Sequence, residues 1–132
     1  MKKVKSLLLI DDDTDDKELF FEAVNEVDSS VTCMSARDGI EAIELLRQSD
    51  ELPNLIFLDL NMPRMDGREF LTAVKDLEPV RNVPIIVYTT SRLEKDEKET
   101  KELGASHFIS KPSVFDDLCK QIETVLNNNW QS

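Results

Sequence analysis

The segment Leu55-Ile56-Phe57-Leu58-Asp59 decides the fold of this chain. Four consecutive apolar residues lead into one carboxylate, and the next eight residues, Leu60-Asn61-Met62-Pro63-Arg64-Met65-Asp66-Gly67, are rich in turn formers. An unbroken apolar run of this length indicates a strand buried on both faces, as in a parallel sheet. Asp59 then ends that strand, at the edge where open α/β sheets bind ligands. On this segment alone, an Asp that merely caps a turn is an equally good interpretation.

Length and composition limit the classes of protein. The 132 residues fit one domain, and we expect a single domain over 1–132 with a core over 4–126 and a C-terminal tail over 127–132. The net charge of -11 argues against direct binding to nucleic acid or to anionic membranes. The sequence has no apolar segment long enough to span a membrane and no signal-peptide cleavage pattern, so we expect a cytoplasmic protein. Cys33 and Cys119 are too few for a disulfide framework or a zinc site.

Apolar runs alternate with segments of helical periodicity along the whole chain. The strand runs are Leu7–Ile10, Val31–Met34, Leu55–Leu58, Ile85–Tyr88 and His107–Ser110. Such alternation predicts an α/β fold with five parallel strands and helices on both faces of the sheet. Capping-box spacing predicts that helices begin after Asp15, Asp38 and Ser113.

Polar side chains follow these strands. Asp11 and Asp12 follow the first, Asp59 the third and Thr89 the fourth, while Lys111 follows the last. Because the carboxyl ends of parallel strands share one edge, we expect three carboxylates, a hydroxyl and an ammonium in one cleft. Clustered carboxylates need a cation, and hard oxygen ligands suit Mg2+. A carboxylate can attack phosphorus, and a metal with a lysine can stabilise the transferring charge. The pattern lacks a triad nucleophile with its paired base.

Two acidic segments receive structural interpretations. Asp13, Asp15 and Asp16 are interpreted as charges favoured at a helix start and not as ligands. The segment Leu93–Leu103 is helical by propensity, yet only its two end leucines are strongly apolar. Since helices gain most of their stability from an apolar face, we expect this helix to open more easily than its neighbours.

Four motifs in order carry a resemblance to a known family. They are Asp11-Asp12, the stretch from Asp59 to Gly67, Thr89, and Lys111-Pro112. Over Val4–Leu126 the chain resembles the receiver domain of two-component response regulators. It is most similar to stand-alone, chemotaxis-regulator-like receivers, including the phytochrome-associated group. The resemblance implies a flavodoxin-like, doubly wound sheet of strand order 2-1-3-4-5 with five helices.

The resemblance also implies roles for single residues. Asp59 would be the phosphoacceptor, and Asp12 and Asp59 would bind Mg2+ directly with the backbone carbonyl of Asn61. Asp11 would act through a metal-bound water. With these implied roles, the protein would be a signalling phosphoacceptor and not a conventional enzyme. It would still promote its own phosphorylation and dephosphorylation.

Further roles concern the signal and its partners. By the same resemblance Thr89 and Lys111 contact the phosphoryl group, and Thr89 with Phe108 forms the switch. Phe108 lacks the hydroxyl of the more common Tyr, so the switch would work by packing alone. The expected partners are a sensor histidine kinase or a phosphotransfer protein, a downstream protein target, and a second copy through the Leu93–Leu126 face.

Two other functions fit parts of the pattern. A phosphotransferase of the haloacid dehalogenase type also uses a strand-end Asp with Mg2+, but it carries an acid two residues later, where this chain has Asn61. A binding module that works without phosphorylation would keep the fold. The complete acidic, Thr and Lys set argues against it, because such a module could lose residues that repel one another.

Overall fold

The computed structural model describes residues 4–78 and 80–128. Its sheet consists of β1 (Ser6–Ile10), β2 (Thr32–Ala36), β3 (Leu55–Leu58), β4 (Ile85–Thr89) and β5 (His107–Ser110). The strands are all parallel and lie in the order β2-β1-β3-β4-β5. The predicted flavodoxin-like sheet of order 2-1-3-4-5 is therefore confirmed.

Five helices connect and cover the strands. They are α1 (Thr14–Val27), α2 (Gly39–Gln48), α3 (Gly67–Val74), α4 (Glu94–Glu102) and α5 (Phe115–Asn127), with a 3-10 turn over Val80–Asn82. Asn128 is the C-cap of α5. The rest of the predicted tail, residues 129–132, lies outside the described residues. Over 4–78 and 80–128 no helix is both long and apolar enough to cross a membrane.

The sheet separates two apolar cores. Leu8 and Ile56 belong to the core shared with α2 and α3, whereas Leu7 and Phe57 belong to the core shared with α1 and α5. All four side chains are fully buried. Successive strand residues point to opposite faces, so a strand covered on both sides needs apolar residues at every position. This is the physical reason for the unbroken runs.

The structure confirms one of the three N-cap residues predicted from the sequence. Asp38 caps α2, as predicted, by accepting the N–H of Glu41 at 2.9 Å. The prediction of Asp15 for α1 is wrong, because Asp13 caps this helix and accepts the N–H of Asp16. The prediction of Ser113 for α5 is also wrong, since Val114 is the N-cap and forms no side-chain cap bond. In an acidic chain, capping-box spacing also occurs at positions that are not the N-cap of a helix.

Candidate metal and phosphoryl site

The site lies along the carboxyl edge of the sheet, where backbone hydrogen bonds between strands hold its residues. Asp11 directly follows β1 and Asp59 directly follows β3, and the N–H of Asp59 donates to the carbonyl of Ile10 at 2.9 Å. Lys111 follows β5, and its N–H donates to the carbonyl of Thr89 at 2.7 Å. The sheet thus brings together side chains that are up to a hundred positions apart in the sequence.

Three carboxylates form the centre of the site. One oxygen each of Asp11, Asp12 and Asp59 lies within 4.8 Å of the others. Asp11 and Asp59 are buried and Asp12 is exposed, so the cluster opens to solvent on one side. All the donors are carboxylate oxygens, and their combined negative charge needs compensation. This donor set fits a small hard dication such as Mg2+ that keeps part of its water shell.

Burial makes the carboxyl group of Asp59 a weaker acid than an ordinary Asp. Desolvation raises the pKa of Asp59 to about 6, although the charge of Lys111 opposes this effect. The negative charge of Asp11 raises the pKa of Asp59 further. Without a cation, ionising Asp59 therefore costs more free energy than ionising an ordinary Asp, and a bound dication would favour the charged form.

Lys111 supplies the positive charge inside the site. Its ammonium nitrogen lies 3.0 Å from Asp11 Oδ2, 2.8 Å from Asp16 Oδ2 and 3.7 Å from Asp59 Oδ2. It also lies 5.2 Å from the centre of the Tyr88 ring. Burial acts to lower the pKa of Lys111, but the hydrogen bond to Asp16 and the nearby charges of Asp59 and Asp11 raise it overall. Lys111 is therefore held as an ammonium ion.

Asp16 is the site residue that the sequence interpretation missed. Its position in the first turn of α1 agrees with a charge favoured at a helix start, yet its carboxylate also accepts a hydrogen bond from Lys111. The available signal was its closeness in sequence to Asp11 and Asp12, because Asp16 lies in the first turn of the helix that follows them. That closeness could not show that Lys111 lies opposite.

The other residues named from the sequence surround this centre. Thr89 is fully buried at the end of β4, and its hydroxyl oxygen accepts the N–H of Ser91 at 3.4 Å. Asn61 lies in the loop after β3 with its N–H 3.4 Å from Asp59 Oδ1. Phe108 lies on β5, partly buried against the core that contains α2 and α3. A cavity of about 120 Å³ between β5 and α4 is lined in part by Phe108.

The arrangement favours chemistry at the carboxylate. Asp59 lies near the ammonium of Lys111, and Asp11 and Asp12 complete a cation-binding set with it. A carboxylate in this position can act as a nucleophile towards phosphorus, because positive charges around it stabilise the negative charge of the transferring group.

Comparison with known proteins identifies the family of this chain. The model of the response regulator receiver domain matches residues 7–123. The chain is 33% identical over 126 residues to response regulator Rcp1 of Synechocystis. The aligned region covers 92% of this chain and 86% of Rcp1.

Solved structures of response regulators have the same fold as this chain. The crystal structure of the phosphorylated cyanobacterial phytochrome response regulator RcpA superposes with a TM-score of 0.83 at 31% identity and covers 92% of this chain and 91% of that one. The Mn2+-bound form of response regulator Rcp1 superposes with a TM-score of 0.82 at 31% identity, and the match covers 97% of this chain and 99% of that one. The match of the family model over most of the chain, together with the strand order and the acidic cluster, shows that this chain belongs to the response regulator receiver domain family.

Proposed function

We propose that this chain accepts a phosphoryl group on Asp59 from a sensor histidine kinase or a phosphotransfer protein, in a reaction that requires Mg2+. The observation that carries the proposal is the ammonium of Lys111, 3.7 Å from Asp59 Oδ2 at the edge of the three-carboxylate cluster. Receiver domains of response regulators are signalling proteins that interact with histidine kinases and downstream targets, and they bind divalent metals at an acidic cluster.

Asp12, Asp59 and the backbone carbonyl of Asn61 would hold Mg2+ directly, and Asp11 would act through a water. When bound, the metal neutralises negative charge on the phosphoryl oxygens. An oxygen of Asp59 attacks the phosphorus of a phosphohistidine, and an O–P bond forms as the N–P bond breaks. The electron pair of the broken bond stays on the imidazole nitrogen, which then takes a proton from solvent.

Lys111 and Thr89 would bind the transferred group. The ammonium of Lys111 is fixed beside Asp59 and donates hydrogen bonds where charge develops. The hydroxyl of Thr89, at the end of the next strand, would donate to a second phosphoryl oxygen. Moving Thr89 towards the phosphoryl group frees space that the ring of Phe108 fills, so the switch works by packing.

The output surface in this proposal is the face of residues 93–126, formed by α4, β5 and α5. A groove of about 630 Å³ runs beside the edge strand β5 and α5, and its lining includes Arg92, His107 and Lys120. A downstream protein or a second copy of the chain would bind this face after phosphorylation. Size-exclusion chromatography with and without beryllofluoride, a phosphoryl mimic, tests the homodimer.

Acetyl phosphate as donor, followed by intact-mass measurement, tests the central claim. We expect one added phosphoryl group in the presence of Mg2+ and none in Asp59→Asn. Asp12→Ala should bind Mg2+ more weakly by calorimetry, because one carboxylate ligand is gone. Asp50→Asn, which changes an exposed carboxylate, is the matched control and should be labelled normally. Phosphoryl transfer to Asp59→Asn, or equally fast labelling with a chelator present, would refute the proposal.

A further inference from the structure

Lys111 donates hydrogen bonds to two of the three carboxylates that lie near its ammonium. A lysine ammonium has three N–H donors. Lys111 donates to Asp11 Oδ2 at 3.0 Å and to Asp16 Oδ2 at 2.8 Å, whereas Asp59 Oδ2 is at 3.7 Å, beyond hydrogen-bond distance. Two donors are therefore committed on the side of β1 and α1, and one remains for the side of Asp59.

The two carboxylates that accept from Lys111 differ in their other contacts. Asp11 belongs to the three-carboxylate cluster, and its Oδ1 also accepts a hydrogen bond from the N–H of Asp13 at 2.9 Å. Asp16 lies outside that cluster, on the first turn of α1. Its backbone is fixed there, because its N–H donates to the N-cap carboxylate of Asp13. Asp16 can thus hold Lys111 without giving up a ligand of the cation.

We propose that Asp16 is a positioning residue, which anchors the ammonium of Lys111 from α1 so that its third N–H faces the phosphoryl group on Asp59. This inference rests on the proposed function of the same site. A lysine side chain has many rotamers, and fixing it before the reaction removes an entropic cost from the transition state. The Tyr88 ring, 5.2 Å from the ammonium, limits the same motion from another side.

The loss of this anchor has a defined consequence. Without Asp16, the carboxylates nearest to the ammonium are Asp11 and Asp59, both of which belong to the cluster. Lys111 would then move towards Asp59 and form a direct ion pair with the nucleophile. Such a pair makes the carboxylate less reactive and leaves the ammonium less well placed for the phosphoryl oxygens.

The first test is the rate of phosphorylation by acetyl phosphate at saturating Mg2+. We expect Asp16→Ala to slow the reaction about fivefold, the size of effect for one partly exposed ion pair, and Asp16→Glu to recover part of the loss. Asp15→Ala is the matched control, because it removes the same charge from the same exposed turn of α1. Equal rates for Asp16→Ala and Asp15→Ala would overturn the inference.

A double-mutant cycle separates positioning from a merely structural role. In a Lys111→Met background, Asp16→Ala should cause no further slowing, because the residue through which Asp16 acts is gone. If Asp16→Ala slows phosphorylation by the same factor in both backgrounds, the inference is overturned. The Mg2+ affinity of Asp16→Ala, measured by calorimetry, should stay within about twofold of the wild type, unlike that of Asp12→Ala.

A spectroscopic measurement tests the contact without phosphoryl transfer. The side-chain 15N resonance of Lys111 should shift in Asp16→Ala and stay in place in Asp15→Ala. An unchanged resonance in Asp16→Ala would overturn the inference. A wild-type protein that takes no phosphoryl group would refute the proposed function and the inference with it. A labelled wild type with an unaffected Asp16→Ala would refute the inference alone.

Discussion

Arg64 binds Asp38 through two parallel hydrogen bonds, from Nε to Oδ2 at 2.7 Å and from Nη2 to Oδ1 at 3.0 Å. The carboxylate of Asp38 is buried and also caps α2. Arg64 has a φ of 62°, a left-handed backbone conformation that non-glycine residues rarely adopt. The N–H of Gly39 donates to the carbonyl of Met65 in the same loop. The loop that follows Asp59 is therefore fixed to the start of α2.

Loss of the Arg64–Asp38 pair should reduce stability in a pH-dependent way. The hydrogen bond from Arg64 lowers the pKa of Asp38, burial opposes this, and the N–H of Glu41 lowers it further. A lowered folded pKa gives stability above the ordinary Asp value, and this stability is lost as the pH falls through the folded pKa. Arg64→Gln should thus lower the free energy of unfolding near pH 7, with a smaller loss below about pH 4.

Urea unfolding at several pH values measures this effect. Asp38→Ala should cost more than Arg64→Gln, because it also removes a helix cap, which alone is worth about 1 kcal/mol. Arg37→Gln is the control, since Arg37 pairs with Glu41 on the exposed surface of the same region. If Arg37→Gln and Arg64→Gln lose the same stability at every pH, the pair of Arg64 with the buried Asp38 has no special role.

Gly67→Ala should distort the position of the nucleophile. A Cβ at Gly67 would lie 2.7 Å from the carbonyl oxygen of Asp59 and 2.8 Å from Cα of Leu60. Both are backbone atoms, so the strand end must move, at a cost of about 1–3 kcal/mol. A Cβ at Gly39 would meet the Met65 side chain, which can rotate away. Gly67→Ala should therefore lose more stability and phosphorylate more slowly than Gly39→Ala, and similar behaviour of the two variants would contradict this.

Asp59→Asn should stabilise the metal-free protein above about pH 6. Burial raises the pKa of Asp59 from 3.8 to about 6. A raised folded pKa gives stability that is complete below the unfolded value and is lost as the pH rises to about 6. The amide carries no charge, so the variant should gain on the order of 2 kcal/mol near pH 7 and little near pH 4. Thermal unfolding with a chelator measures this, and a gain that does not depend on pH would contradict it.

Arg68 should control the opening of α4. Its Nη2 lies 2.8 Å from Asp96 Oδ1 and its Nε contacts Glu99, so this α3 residue holds a helix whose one buried residue is Thr100. Arg68→Gln should speed amide hydrogen exchange across α4 more than across α3.

Arg81→Gln is the control for that measurement, because Arg81 pairs with Glu78 outside α4. Asp96 also accepts a hydrogen bond from Ser91 at 2.5 Å, so faster exchange should extend to the loop after Thr89. Protection of α4 that already equals that of α3 and is unchanged in Arg68→Gln would show that α4 is stabilised by other contacts.

The sequence by itself determined the sheet and the residues at its edge. The runs Leu7–Ile10 and Leu55–Leu58 are apolar at every position because helices cover both faces of each strand. Parallel strands end at one edge, so the sequence alone assigns Asp59, Asp11 and Lys111 to one cleft. The Asp38 cap was predicted for the same kind of reason, since cap geometry depends on residues close in sequence.

Only the tertiary structure decided which charged side chains meet. Lys111 and Asp16 are 95 positions apart, Arg68 and Asp96 are 28 apart, and Arg64 and Asp38 are 26 apart. One third of the chain is charged, so local spacing leaves many partners equally good for each lysine and arginine. The choice follows from the order of the strands and the packing of the helices, which place α1 beside α5, α4 within reach of Arg68 on α3, and the loop after β3 against the start of α2.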